Sequence, residues 1–424
     1  MNSREHVADA LATAMLAGGW TRASILARTR AALGKPASPR WLLALVDEVL
    51  AAYRDPPSDR PRELAAYLQA GAAWRMAGQH RRPARIVAWT PVPTAVTIHP
   101  WPIRLLPDRS ALTALLDLDQ GELDWFADVR GWERRVAEPL RHYRWTTLPK
   151  RDGVRVVAAP KPRLKEIQRR LLRHLLEPIP LHDAAHGCVR GRSVRSAVAP
   201  HAGATVVIRA DLAAFFPSIR AGRIWSLLRT AGLPEAVAYI VTGLVTTVAP
   251  APYRRLDARL GQPHLPQGAP TSPALANLVA FSLDRRLAGL AARFDARYTR
   301  YVDDLTFSGG SSLRRARSRF VALVGEIVVA EGFCLNDRKT VVLGAAGRQA
   351  LLGTVVNDHP TVARPERDAL RALLHNCTAQ GWRTQVRGQD DLRSHVLGRI
   401  AWVGSLDPAF GAKLRAKFEA VDWS

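Results

Sequence analysis

The sequence predicts an α+β fold, and three observations predict it. Both ends of the chain carry apolar residues at helical spacing among arginines. The middle carries strand-like runs of β-branched and aromatic residues, two of which close on aspartate. A proline-rich stretch separates the helical N-terminal part from everything after it.

Residues 1 to about 88 read as helices. Leu11, Met15 and Leu16 share one face of the first. A second runs from Thr21 to Leu33, where Gly34 ends it. Ser38-Pro39 starts a third, with Trp41, Leu42, Leu45, Val46, Val49 and Leu50 on its apolar face. Pro61 opens a fourth, with Leu64, Tyr67, Leu68 and Trp74. Arginine-rich polar faces suit RNA or a partner, and equally suit a bundle that packs on the rest of the chain. Pro83, Pro91, Pro93, Pro100, Pro102 and Pro107, interspersed with Trp89 and Trp101, read as an ordered extended strap. A short helix is expected from Ser110 to Phe126 and another from Trp132 to Trp145.

Residues 148 to 174 hold a dense basic cluster that includes Lys150, Arg155, Lys161, Arg163 and Lys165. Thr147 to Pro149, a turn at Asp152-Gly153 and Val154 to Ala158 read as a hairpin. Leu164 to Leu176 reads as an amphipathic helix. His186-Gly187-Cys188-Val189-Arg190-Gly191-Arg192-Ser193 follows; its glycines permit close backbone approach and its arginines suit phosphate.

Val206 to Asp211 is an apolar strand that ends on a carboxylate. Residues 221 to 248 read as one or two helices. Leu265-Pro266-Gln267-Gly268-Ala269-Pro270-Thr271-Ser272-Pro273 then contains a turn at Gln267-Gly268, an N-cap at Ser272 and a helix running on through Leu287. Tyr298 to Gly309 reads as a hairpin with Asp303-Asp304 as its tight turn. Such an acidic pair is ordinary turn chemistry when it stands alone. If the strand of Asp211 lies beside the hairpin, three carboxylates meet. That site suits two divalent ions about 3.5–4 Å apart, and hard Mg²⁺ is the natural choice. Leu313 to Glu331 is the next helix, and the last 64 residues read as helices at Pro365 to His375 and Leu392 to Val403.

Composition bears on partners. The chain has 424 residues, 47% of them hydrophobic, so it can bury a core. Lys and Arg number 61 against 37 acidic residues, for a net charge of +24. An excess of that size points to a polyanion. Codon bias explains the preference for arginine over lysine but not the excess of basic over acidic residues. Cys188, Cys334 and Cys377 lie far apart with no metal-binding spacing, which fits a reducing cytoplasm. No signal peptide or membrane span is expected.

The Tyr-Val-Asp-Asp box at residues 301 to 304 resembles the catalytic hairpin of reverse transcriptases. With Leu265 to Pro273 upstream, the pattern is similar to the bacterial retron-type branch over roughly residues 140 to 420. The resemblance implies a right-hand polymerase with fingers, a palm built on an antiparallel sheet and a helical thumb, behind an N-terminal helical domain. It divides the chain into that domain at 1–88, a strap and connecting helix at 89–135, fingers at 136–205, a palm at 206–360 with a fingers insert at 221–265, and a thumb at 361–424. It implies RNA-directed DNA synthesis from deoxynucleotides, with Asp211, Asp303, Asp304 and the Leu212 carbonyl holding two Mg²⁺. One ion activates the primer hydroxyl and the other holds the triphosphate. Lys150 and Arg155 match fingers residues that hold that triphosphate. Phe216 matches the aromatic gate against ribose. Gln267 and Gly268 match the segment along the nascent pair, and Lys339 a residue that protonates pyrophosphate or screens its charge.

The chain departs from the pattern in several places. Cys188 stands where Phe is common, and Ala214 where a polar residue is frequent. The Asn-Ala-x-x-His segment keeps only His201, which reads as structural. Leu351-Leu352-Gly353 replaces Val-Thr-Gly at the primer-grip position. Retron-type enzymes use a structured non-coding RNA as template and primer, make a cDNA joined to it, and often work with an effector protein in phage defence. Those partners are expected here. A template-independent defence polymerase and a non-catalytic RNA-binding scaffold remain the alternatives.

Overall fold

The computed structural model describes residues 3–35, 38–57, 61–78, 86, 101–104, 106–128, 131–133, 135–150, 153–386, 388 and 391–424. Most of the expected proline-rich strap lies outside the described residues. The chain divides into two compact units. One gathers Met1–Pro100, Leu105–Leu112 and Leu228–Tyr239; the other gathers Trp101–Arg104, Thr113–Leu227 and Ile240–Ser424. Among the described residues no helix is long and apolar enough to cross a membrane.

The N-terminal helices of the first unit are Ser3–Leu16, Arg22–Leu33, Arg40–Ala52, Pro61–Ala70 and Ala72–Gly78. Leu11, Met15, Ile25, Leu42, Leu45, Leu64 and Leu68 interlock in their core. Polar groups finish the helix ends. Thr21 accepts from the Ser24 amide and Gly34 closes the second helix in the left-handed conformation. Arg28 donates to the Ala14 and Met15 carbonyls at 2.8 Å, which satisfies the end of the first helix. Glu48 accepts from the Ala73 amide at 3.0 Å at the start of the last.

Among the described residues the second unit holds three antiparallel sheets. Strands β1 (Tyr143–Lys150) and β2 (Gly153–Pro160) form a two-stranded ribbon with Lys150 opposite Gly153. Its base is anchored: Tyr143 is buried, and its hydroxyl accepts from Gln168 at 2.9 Å. Its outer half is exposed, with Leu148 and Val154 each half uncovered. The central sheet takes β3 (Val206–Asp211), β4 (Ala296–Tyr301), β5 (Asp304–Gly309) and β6 (Val341–Gly344) in the order β4-β5-β3-β6. Alternation buries Phe307 of β5 against Tyr298 of β4, with stacked rings 4.8 Å apart, and against Phe320 of the helix Ser311–Ala330. The opposite face carries a polar layer. There His201 is fully buried, with Nδ1 2.7 Å from the Ser308 hydroxyl and Nε2 2.8 Å from that of Thr299. Burial pushes its pKa down to about 3, so it is a neutral strut between β4 and β5.

Strands β7 (Ala350–Leu351) and β8 (Thr354–Val355) make a small hairpin whose turn, Leu352-Gly353, is left-handed at both residues. The helices Arg364–Gln380, Leu392–Leu406 and Pro408–Glu419 follow, packed around Leu370, Leu374, Val396, Val403 and Leu414.

Four local expectations shift. The described residues of 132–145 form no α-helix. Pro139 sits in a 3₁₀ turn, Glu138–Leu140, and β1 begins at Tyr143. The helix expected at Ser110–Phe126 is two, Arg109–Leu116 and Gln120–Phe126. Asp117 turns left-handed, and Asp119 starts the second helix through a capping box with Glu122. The helix through Leu287 breaks at Ala280 into Ser272–Val279 and Phe281–Arg293. Its N-cap is Thr271 rather than Ser272, whose hydroxyl donates to the Pro266 carbonyl at 2.6 Å.

Candidate active site

The carboxylates meet through register. Asp211 is the last residue of β3 and pairs directly with Asp304, the first of β5. Tyr301 pairs with Asp304 as well, so the two-residue turn of the hairpin is Val302-Asp303 and not Asp303-Asp304. Val302 takes the left-handed conformation, φ 59°. Valine is a poor residue for such a turn, so turn propensity alone favours the aspartates. Directly paired residues of neighbouring strands share a face, which puts Asp211 and Asp304 side by side. Asp303 is tied in by its carbonyl, which accepts from the Leu212 amide at 2.9 Å.

Cations and amides surround this group. Lys339 donates to Asp211 Oδ2 at 2.8 Å, and the Asn336 side chain donates to Oδ1 at 3.2 Å. The Asn336 amide also donates to the Asp211 carbonyl, at 2.7 Å. Arg209, two residues back along β3, reaches Asp304 Oδ1 at 3.5 Å. Burial, then the charges of Asp211 and Asp304, push the Asp303 carboxyl above its ordinary range. Burial also raises Asp304, partly offset by Arg209. The hydrogen bond to Asp211 raises Lys339, which therefore keeps its proton.

A cavity of about 550 Å³ opens on these groups. Of the residues singled out in the sequence, it is lined by Lys150, Arg155, Asp211, Leu212, Phe216, Gln267, Asp303 and Lys339. Two fall outside its wall. Asp304 is turned to Arg209. Gly268, φ 125°, packs on β2, where a Cβ would come within 3.0 Å of the Ala158 carbonyl. Next to it, Gln267 accepts from the Ala158 amide at 2.8 Å, which fixes the backbone that presents its side chain. Phe216 follows the left-handed Ala214 (φ 48°) and lies half-buried beside the buried Phe215. Arg192 does not offer its guanidinium to the cavity; it braces its own loop through the carbonyls of Asp183 and Ala185.

Sequence reasoning missed one contributor, Arg259, and left another, Asn336 in the Leu335-Asn336-x-x-Lys339-Thr340 motif, without a role. Arg259 lines the cavity, with its guanidinium held by Asp257 at 2.9 Å. Its only local signal was an acidic–basic pair without periodicity. Asn336 orients Asp211 from a distance of 125 residues in sequence.

The donor set suits a hard cation. It consists of carboxylate oxygens, and two of its members have pKa values raised by burial and by the charge of neighbouring carboxylates. Among the described residues no three His, Cys, Asp or Glu side chains are gathered into a finished metal cage. Lys339 occupies one oxygen of Asp211.

Residues 148–358 match the family described as reverse transcriptase (RNA-dependent DNA polymerase). The chain is 42% identical over 287 residues to the Retron Mx65 reverse transcriptase of Myxococcus xanthus, over 66% of this chain and 65% of that protein. It is 38% identical over 338 residues to the Retron Mx162 reverse transcriptase of the same organism, over 75% of this chain and 67% of that protein. The Retron Ec86 reverse transcriptase of Escherichia coli is 28% identical over 269 residues, 62% of this chain and 77% of that one. The chain thus spans about two thirds of the length of the first two relatives.

Proposed function

The chain belongs to the retron-type reverse transcriptases, with an α+β polymerase fold behind N-terminal helices, and on that premise we propose that it is an RNA-directed DNA polymerase working in the cavity lined by Asp211 and Asp303. The observation that carries the reading is the lining itself. One cavity collects those two carboxylates with Lys150, Arg155, Arg259 and Lys339. That is the charge pattern a nucleoside triphosphate and a divalent ion require together.

Asp211, Asp303, Asp304 and the Leu212 carbonyl are the residues that would hold Mg²⁺, two ions in our reading, whose bound charge activates the primer hydroxyl and steadies the leaving phosphates. The remaining roles belong to side chains. Arg155 and Lys150, on the exposed ribbon, neutralise the triphosphate. Phe216 fills the space a ribose 2′-hydroxyl needs. Gln267, fixed through Ala158, lies along the nascent pair. Asn336 orients Asp211. Lys339 is a held ammonium, and it becomes a proton donor to pyrophosphate only on leaving Asp211.

We read the template and primer as a structured non-coding RNA and the product as a cDNA joined to it. An effector protein and a role in phage defence are part of the same proposal. The similarity to retron reverse transcriptases supports these finer points. Single-nucleotide extension on an RNA template tests the core. Wild type is expected to incorporate dNTPs with Mg²⁺, and Asp303→Ala to lose on the order of 10³-fold, the equivalent of several kcal/mol. Phe216→Ala should keep dNTP use and gain rNTP use. Retained activity in Asp303→Ala would overturn the site. Sequencing of co-purified nucleic acid tests the rest. A short cDNA on one RNA, absent from Asp303→Ala, is expected. Untemplated DNA would move the reading to template-independent synthesis, and RNA alone in both chains to a scaffold.

A further inference from the structure

Val302 is strained, and the structure shows what holds it. A β-branched residue in the left-handed region costs about 1–2 kcal/mol and persists only where its surroundings over-determine it. The Val302 carbonyl accepts from Arg300 Nη1 at 2.9 Å. The same Nη1 donates to Asn277 Oδ1 at 2.9 Å, and Asn277 Nδ2 donates to the Gly187 carbonyl at 3.0 Å. Gly187 lies flat on the turn. A Cβ there would overlap the Val302 nitrogen and stand 2.6 Å from its Cγ2. Backbone bonds complete the clamp: the Arg300 amide donates to Ala184 at 2.7 Å, and the His186 amide to the Arg300 carbonyl at 2.8 Å.

The guanidinium is itself fixed. Arg300 and Asp284 are both fully buried, and Nε and Nη2 meet the two Asp284 oxygens at 2.8 and 2.6 Å. Tyr298 donates to the same carboxylate at 2.8 Å. Asp284 and Asn277 come from the two helices that part at Ala280, so two independent elements aim one side chain. A buried ion pair adds little net stability over apolar residues of equal volume, so stability alone does not account for it. The nitrogen left over from the ion pair, Nη1, points at the turn that carries Asp303.

We infer that Arg300, Asp284 and Asn277 are positioning residues that, with Gly187, hold the Val302-Asp303 turn so that Asp303 faces Asp211. The consequence for catalysis rests on the polymerase reading; the consequence for the turn does not. The Leu212 amide reports the turn directly, because it donates to the Asp303 carbonyl.

The test uses the full chain without metal, and two variants. Asn277→Leu removes the tether and leaves the ion pair; Gly187→Ala removes no buried bond and pushes on the turn from outside. In both, hydrogen exchange at Leu212 should speed up at least about 10-fold while Val207 and Phe307, deeper in the sheet, keep their rates. Extension assays on the same preparations should show kcat per folded molecule about 10–100-fold lower with KM for dNTP little changed, the size seen when supporting residues of a metal site are removed. Wild-type exchange at Leu212 in both variants, or activity that falls only with the folded fraction, would overturn the inference. If Leu212 responds but the wild-type chain incorporates nothing, the polymerase reading fails and the positioning stands. If the wild type is active but Leu212 is unresponsive in both variants, the positioning fails and the polymerase reading stands.

Discussion

Asp303 and Asp304 hold protons more tightly in the folded chain than in water, because burial and the charge of neighbouring carboxylates, Asp211 for both, disfavour ionisation. The sign for stability follows. A carboxyl with a raised folded pKa favours the fold below its unfolded value of about 4, and that contribution is lost as pH rises through the folded value. The metal-free protein should therefore lose melting temperature through these groups as pH climbs from about 4 toward neutrality. His201, held near pKa 3, acts oppositely, losing stability as pH falls below its free value. Comparison with Asp303→Asn isolates the carboxylate because His201 is common to both chains. The variant should melt higher at pH 7, by about 2–4 °C for each kcal/mol of repulsion relieved. It should also lose the stabilisation that Mg²⁺ gives the wild type. Scanning calorimetry at pH 5 and 7, with and without the ion, decides the matter; equal pH slopes in both chains would refute it.

At the level of elements, several turns are built on residues that turn propensity disfavours. Ala214, Val302 and Leu352 all have positive φ. Val302 is held by the buried Arg300 network, and Leu352 stands at the first turn position of the β7–β8 hairpin, before Gly353. Asparagine suits the first position of such a turn. Leu352→Asn should stabilise the protein by about 1 kcal/mol, since the left-handed conformation costs leucine that much or more. Thermal melting measures the gain, and an extension assay on an annealed primer asks whether the leucine side chain serves the primer. A more stable chain with lower primer affinity would explain why this hairpin departs from the Val-Thr-Gly pattern.

For the whole molecule, the charge of +24 sets the terms of encounter with nucleic acid. Neutralising 6–10 phosphates costs roughly 10³–10⁵ in affinity between 50 and 200 mM salt. Binding of a structured RNA should show a loss of that order, whatever its sequence. Replacing Arg393, exposed on the helix Leu392–Leu406, with alanine should reduce the slope of log affinity against log salt by about one if that helix follows a phosphate backbone. An unchanged slope would remove it from the interface.

Much of this protein is local chemistry and was legible as such. Apolar spacing, Thr21, Gly34 and Pro61 mark the N-terminal helices. Aromatic and β-branched residues mark the β4–β5 hairpin, and the apolar run of β3 that stops at Asp211 marks the site. Each of these signals acts within one turn or one strand, where neighbours in sequence are neighbours in space. The remainder needed contacts between distant residues. Asp211 meets Asp304 only through a strand register, and Asn336 reaches Asp211 across 125 residues. Arg259 enters the cavity from a segment with no pattern of its own. The turn sits on Val302 rather than on the two aspartates because Arg300, Asn277 and Gly187 stabilise a conformation that valine alone would not adopt. Local propensity cannot report a strain that tertiary contacts offset, and that is why the site was readable in its residues but not in its turn.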